Sequence, residues 1–418
     1  MAQIVARASH CDLTATIRHV GVRSVDLTPI PDVGTWSAEL PVAGCLRTVE
    51  ASSSTSTLRG MRIALISTPY LPVPPRLYGG TELIVYELAE GLVRRGHRVE
   101  LFATGDSRTS AEQRSLYPTA QWPPEMLTDL DHVSWAMQQI SQRGPFDVIH
   151  AHSAVALACA RLLPDIPLVY TLHHHRDEQL SGFYRHCQDA HYIAISEDQR
   201  LREIPLRHVH VIHHGLDPVR YPGPTKSLGD YVCFIGRYAR VKGPHTAIDV
   251  AREAGVRIRL AGEVHEPDET WAEAELGPRL AQPHVSELGP VGLGVKVPLL
   301  AHARALLAPI EWNEPFGLIL IEAMLTGCPV VAFPKGSTPE LIEDGVTGFI
   351  ARSREEMVEL IRPGGEVDRI DRAQCRRRAV ERFSADRMVA DHVALYERVR
   401  TMPASPRPLQ PSRSRIVA

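Results

Sequence analysis

Lysine is nearly missing from this chain: only four of its 46 basic residues are Lys, the rest being Arg. That imbalance fits a GC-rich coding sequence of bacterial kind, and it makes a retained lysine such as Lys242 stand out. Cysteine pairs are missing too. The seven cysteines (Cys11, Cys45, Cys159, Cys187, Cys233, Cys328 and Cys375) stand singly, odd in number and with no C-x-x-C. This excludes a disulfide framework and reads as buried, reduced thiols of a cytoplasmic protein. No run approaches the ~18 apolar residues that would span a bilayer, and the N-terminus lacks the apolar core of a signal peptide. Charge of one sign is also lacking. The formal net charge is -3, and between Met61 and Arg220 there are 15 Arg and no Lys against 18 acidic residues. Nucleic acid and anionic lipid surfaces are therefore not expected partners. G-x-G-x-x-G follows neither of the strands that open the two halves described next, which counts against a dinucleotide-dependent dehydrogenase.

What is present is 418 residues, 44% hydrophobic and 23% charged, enough for two globular domains. Residues 1–60 show no sustained period and end in a Ser/Thr run, so they read as a disordered extension or the product of a misassigned start. Arg62 to Ser67 is a buried-strand pattern. A Pro-rich loop, Pro69 to Pro75, leads to Tyr78-Gly79-Gly80-Thr81 and a helix to about Arg95 with Gly96 as its cap. Further strands are expected at Arg98 to Thr104, Asp147 to His150, Leu168 to Leu172 and Tyr192 to Ile195. After a Pro/Gly-rich linker at 218–229, a second series follows at Tyr231 to Ile235, Arg257 to Ala261, Ala305 to Ala308 and Val330 to Phe333. Alternation of strand and helix implies parallel sheets covered on both faces. The fold class is thus α/β: two Rossmann-like, doubly wound parallel-sheet domains facing a cleft, over residues 61–217 and 218–384. A helix at 385–400 and a disordered tail at 401–418 complete the chain.

Four constellations carry chemistry. Glu314-Pro315-Phe316-Gly317-Leu318-Ile319-Leu320-Ile321-Glu322 puts two carboxylates eight residues apart at either side of a helix start. Pro315 suits the first turn, Gly317 bares the main chain, and free N–H groups there suit an anionic or hydroxyl-rich ligand. The two carboxylates can each take a different set of sugar hydroxyls. Gly236-Arg237 with Lys242-Gly243, just after a strand, supplies two cations that can clamp a diphosphate. Gly79-Gly80, at a helix head, lets the backbone approach a phosphate. Finally, 13 of the 20 histidines lie between Met61 and Arg220. His150 and His152 end one strand and share a face, so both can look into the cleft. His173-His174-His175 ends another and reads equally well as an exposed loop. Asp129-Leu130-Asp131 has the form of a metal-holding tripeptide but lies in a polar helical stretch, and reads as a solvated face.

On these residues the chain, from about Met61 to Arg400, resembles the family-four glycosyltransferases, retaining enzymes of the GT-B fold. His214-Gly215-Leu216-Asp217 adds to the match. The resemblance implies that Arg237 and Lys242 hold the donor diphosphate. It implies that Glu314 contacts the transferred sugar, helped by the N–H groups of Phe316, Gly317 and Leu318, and that Glu322 binds the ribose. Gly79 and Gly80 would border the donor phosphate, and His152 would lie near the reaction centre. The final helix would cross back onto the first domain. The implied substrates are a nucleotide diphosphate sugar and an unknown hydroxyl acceptor, with no cofactor and no metal. His214 replaces the more usual Asn, and the Pro-rich loop is a further departure. A GT-B nucleotide-sugar epimerase, a metal-dependent hydrolase built on the His cluster and a non-catalytic binder are the alternatives.

Overall fold

The computed structural model describes residues 60–225 and 228–402, which lie within one compact unit, Leu58–Ala418. The expectations for residues 1–59 and for the tail beyond 402 fall outside the described residues.

Two wholly parallel sheets form the unit. The first contains β1 (Arg62–Ile66), β2 (Arg98–Phe102), β3 (Glu112–Arg114), β4 (Val148–Ala151), β5 (Leu168–Thr171), β6 (His191–Ala194) and β7 (Val209–Val211), in the order β3-β2-β1-β4-β5-β6-β7. The second contains β8 (Tyr231–Ile235), β9 (Arg257–Ala261), β10 (Val285–Glu287), β11 (Leu306–Ala308), β12 (Val330–Ala332) and β13 (Gly348–Ile350), in the order β10-β9-β8-β11-β12-β13. Both are doubly wound Rossmann-like sheets. In each, strand order reverses beside the opening strand, between β1 and β4 and between β8 and β11, and the crevice at such a reversal is where ligands bind.

The strand patterns explain the layers. In β1, Ile63 and Leu65 pack with Ile84, Leu88 and Leu92 of the helix Gly80–Arg94, while Ala64 and Ile66 face Val133, Met137 and Ile140 of the helix Met126–Arg143. Both faces are apolar, so the strand reads as an unbroken hydrophobic run. Val232 and Phe234 of β8 likewise meet Ala247, Ile248 and Val250 of the helix Pro244–Glu253. Strands β3, β7, β10 and β13 escape the sequence pattern because they are short edge strands that are only partly buried, whereas the equally short β11 and β12 lie inside the sheet and are wholly buried.

Gly91 decides where the last described helix packs. A Cβ there would lie 2.4 Å from Val389 Cγ2, so its absence lets the last helix, Ala385–Arg400, lie directly on the first. Arg94 binds Asp386 at 3.2 Å, and Tyr396 OH meets His150 Nδ1 at 2.6 Å. The C-terminal helix is therefore built into the first sheet's layer.

One helix start differs from expectation. The helix carrying Glu322 begins at Leu318, after Gly317 at φ 82°. Pro315 lies ahead of the helix, and the left-handed Gly317 makes the turn that a first-turn proline was expected to make. No helix among the described residues is long and apolar enough to cross a membrane.

Candidate active site

A cavity of about 610 Å³ opens between the carboxyl ends of the two sheets. Its walls come from the segments that the sequence singles out. The loop after β1 turns into the helix Gly80–Arg94 through Gly79, at φ 149°, where a Cβ would come within 2.8 Å of Leu71 and Pro75. Only glycine fits that backbone. Across the cavity stands Leu318, whose Cδ1 lies 3.1 Å from where a Cβ on Gly80 would sit. The N-termini of two helices thus meet here, each with main-chain N–H groups left over by the helix geometry. Phe316, Gly317 and Leu318 line the same space.

Arg237 and Lys242 enter from the segment after β8. Arg237 is only loosely tied: its Nε is 3.9 Å from Asp268 Oδ2 and makes no hydrogen bond. Lys242 is not loose. Its ammonium donates to Glu314 Oε2, lies 5.0 Å over the Trp312 ring, and shares that oxygen with Trp312 Nε1 at 2.9 Å. The expected clamp cation and the expected sugar-binding carboxylate are therefore bonded to each other. Gly336 fixes this arrangement from behind. At φ 57° its backbone leaves no room for a Cβ, which would fall 2.4 Å from Glu314 N and O.

Glu322 is 3% exposed. Its Oε1 accepts from Lys296 Nζ at 2.5 Å and from the buried Tyr221 OH at 3.0 Å. Lys296, Tyr221 and Trp312 all line the cavity, and sequence reasoning missed all three. The scarcity of lysine was a usable signal, since two of four lysines stand here, each on one of the two carboxylates.

The histidines form a buried column. Ring centroids run His392–His150 5.4 Å, His150–His152 4.5 Å, His152–His173 5.0 Å, His173–His214 5.4 Å and His214–Phe316 5.0 Å. His173 and His214 line the cavity, and His152 stands behind them with Nδ1 2.7 Å from His173 Nε2. His152 Nε2 is buried with no partner. Burial pushes the whole column toward the neutral form: His173 falls to about 3, His392 to about 4, and His150, His152 and His214 lie well below the ordinary histidine value. These rings hydrogen-bond without carrying charge at neutral pH.

Three expectations need correction. His150 does not look into the cleft, because its nitrogens are bonded to Tyr396 OH and to Thr171 Oγ1 at 2.8 Å. The His173–His175 run is not merely an exposed loop, since all three line the cavity and His175 packs edge-on against Trp312 at 5.1 Å. Asp129 is not a solvated helix residue. It accepts from Ser153 Oγ at 2.7 Å, and burial raises its pKa.

The two halves are tied together beside the cavity. Ser196 Oγ donates to Pro315 O at 2.6 Å. Glu340 of the second half accepts from Glu197 N at 2.9 Å and Asp198 N at 3.3 Å in the first half, and pairs with His213. Burial opposes ionisation of Glu340, but these hydrogen bonds outweigh it and leave its pKa lowered.

Two family models match the chain: Glycosyltransferase Family 4 over residues 78–220 and Glycosyl transferases group 1 over residues 224–379. Among similar proteins, the alpha-maltose-1-phosphate synthase of Mycolicibacterium smegmatis is 28% identical over 334 residues, 69% of this chain and 84% of that protein. The D-inositol 3-phosphate glycosyltransferase of Mycobacterium avium is 26% identical over 335 residues, 66% of this chain and 78% of that one. The sucrose-phosphate synthase structure from Thermosynechococcus elongatus superposes with a TM-score of 0.66 at 19% identity, covering 81% of this chain and 99% of that one. This likeness, like that to the Anabaena HepE structure with UDP and glucose (TM-score 0.63, 22% identity, 81% and 99% covered), concerns the fold, a two-domain GT-B architecture.

Proposed function

The chain belongs to the family-four glycosyltransferases, and from that premise we propose that it moves a sugar from a nucleoside diphosphate donor to an acceptor hydroxyl with retention of anomeric configuration. One observation carries the reading: Arg237, Lys242, Glu314 and Glu322 face a single cavity at the carboxyl ends of both sheets. Cations for a diphosphate and carboxylates for two sets of hydroxyls are what a sugar nucleotide requires.

The chemistry follows from the charges. The bond between the anomeric carbon and the diphosphate oxygen breaks, and its electron pair leaves with the diphosphate. Arg237, with its uncommitted Nε, and Lys242 stabilise that growing charge. Lys242 must first release Glu314. The incoming diphosphate takes the ammonium, and the freed carboxylate takes the sugar hydroxyls. The acceptor oxygen then bonds to the anomeric carbon on the face that the diphosphate has left, and its proton passes to a diphosphate oxygen. Glu322 binds the ribose, and His152, behind the cavity wall, acts at the sugar end through His173, whose Nε2 lies 2.7 Å from its Nδ1 and which does line the cavity. With Arg237 and Lys242 at the leaving group, the reaction needs no metal.

The test has two stages. UDP, ADP and GDP are screened by thermal shift, since a ligand of the folded state raises the melting temperature. The matching sugar nucleotides are then incubated with hydroxyl acceptors and the product anomer is read by NMR. An inverted product would overturn retention. Donor epimerised without any acceptor would overturn transfer.

A further inference from the structure

Lys296 is the charged residue of an otherwise apolar helix segment, Leu293-Gly294-Val295-Lys296-Val297-Pro298-Leu299-Leu300. Its side chain is 17% exposed and its partner's 4%, so the pair is largely withdrawn from water while both residues still line the cavity. The contact geometry is one-sided. Lys296 Nζ and Tyr221 OH both bond Oε1 of Glu322, and Oε2 makes no protein hydrogen bond among the described residues.

That asymmetry depends on the ammonium. A lysine is a compact point charge that satisfies one carboxylate oxygen, whereas a guanidinium is a planar fork that matches both. In a chain that uses arginine almost everywhere, an arginine here would clasp Oε1 and Oε2 together and leave the carboxylate with nothing to offer a ligand.

We propose that Lys296 is a positioning residue of the donor site: with Tyr221 it holds Glu322 by Oε1 and so presents Oε2 to the ribose diol, making the site selective for nucleotides that carry that diol. The proposal rests on the reading of Glu322 as the ribose-binding residue.

The experiment measures binding by calorimetry for the full chain and for Lys296→Arg and Lys296→Met. The probes are whichever of UDP, ADP and GDP binds best, its 2′,3′-dideoxy analogue, and inorganic pyrophosphate, which reports on Arg237 and Lys242 alone. Wild type is expected to favour the ribonucleotide by about tenfold or more, the scale of a lost hydrogen bond to a charged group. In Lys296→Arg the ratio should fall to near one, while pyrophosphate binding and melting temperature stay at wild-type values. An ion pair that served only stability would be kept by arginine, with the ratio intact, and that result overturns the proposal. Lys296→Met should lose the same ratio. Should that variant fail to fold, the arginine variant decides alone. Equal binding of the two nucleotides by wild type overturns the ribose assignment of Glu322, and the proposal with it.

Discussion

Lys242 and Glu314 pair with one another in the wall of the cavity, with Trp312 Nε1 donating to the same carboxylate oxygen at 2.9 Å. Glu322 is held in the same manner by Lys296. The cavity is thus lined by two ion pairs, and a ligand must replace partners already present. This lowers the desolvation cost of an empty site, because a buried charge left alone is far more costly than a buried pair. It also makes the two carboxylates separable by experiment.

Glu322→Ala should weaken both the free nucleoside diphosphate and the intact donor, because both carry the ribose. Glu314→Ala should keep or strengthen diphosphate binding, because Lys242 no longer has a carboxylate to leave, and cut turnover, because its proposed partner is the sugar. Each loss is expected at roughly ten- to a hundredfold, from ~1.5–3 kcal/mol per hydrogen bond to a charged group. Calorimetry beside initial rates measures both. Equal loss of diphosphate binding in the two variants refutes the division.

Lys242→Ala should lower diphosphate affinity and lower turnover further, since charge on the leaving oxygen grows toward the transition state. The comparison is Kd for the diphosphate against kcat for the donor. A variant with weakened binding and unchanged kcat would place Lys242 in recognition only.

Gly336→Ala tests the support behind Glu314. Its Cβ would meet the Glu314 main chain at 2.4 Å from a backbone at φ 57°. Strain of about 1–3 kcal/mol is expected, read as a melting temperature several degrees lower, together with reduced turnover as Glu314 shifts. Wild-type kcat in a stably folded Gly336→Ala would show that the Glu314 position tolerates displacement.

Acid should destabilise the fold through the histidine column. The folded-state values of His150, His152, His173, His214 and His392 lie below the ordinary value, near 6.5 in the unfolded chain. The unfolded chain therefore binds more protons below that pH, and stability is lost as pH falls from about 6.5 toward 4. Glu87, which burial raises to about 7, and Glu82 and Asp129, which burial also raises, act in the opposite direction, but five histidines outnumber them. Melting temperature should be flat from pH 8 to 7 and fall by several degrees by pH 5. A rise on acidification would show that the buried carboxyls dominate.

Turnover should survive EDTA, because Arg237 and Lys242 are proposed to meet the leaving charge. Activity lost to EDTA and restored by a divalent ion would overturn that assignment.

Much of this protein is set by local sequence. Strands Tyr231–Ile235 and Arg257–Ala261 and the last helix, Ala385–Arg400, lie where pattern alone puts them. Runs of apolar residues have no other way to leave water, and Gly and Pro punctuate them at fixed places. That Gly79, Arg237, Lys242, Glu314 and Glu322 would border one cavity was also legible, because each lies in a segment that leads from a strand into a helix or, for Glu322, in the helix that such a segment opens. Tertiary structure alone decided who meets whom. Lys296, Tyr221 and Glu322 are far apart along the chain, and no periodicity reports that one carboxylate oxygen takes both donors. His150 and His152 share a strand face, yet the docking of the last helix turns His150 toward Tyr396 and leaves His173 and His214 at the cavity wall. Which face of a buried strand becomes a site depends on the element packed against it, and here a glycine at position 91 lets the C-terminal helix take that place.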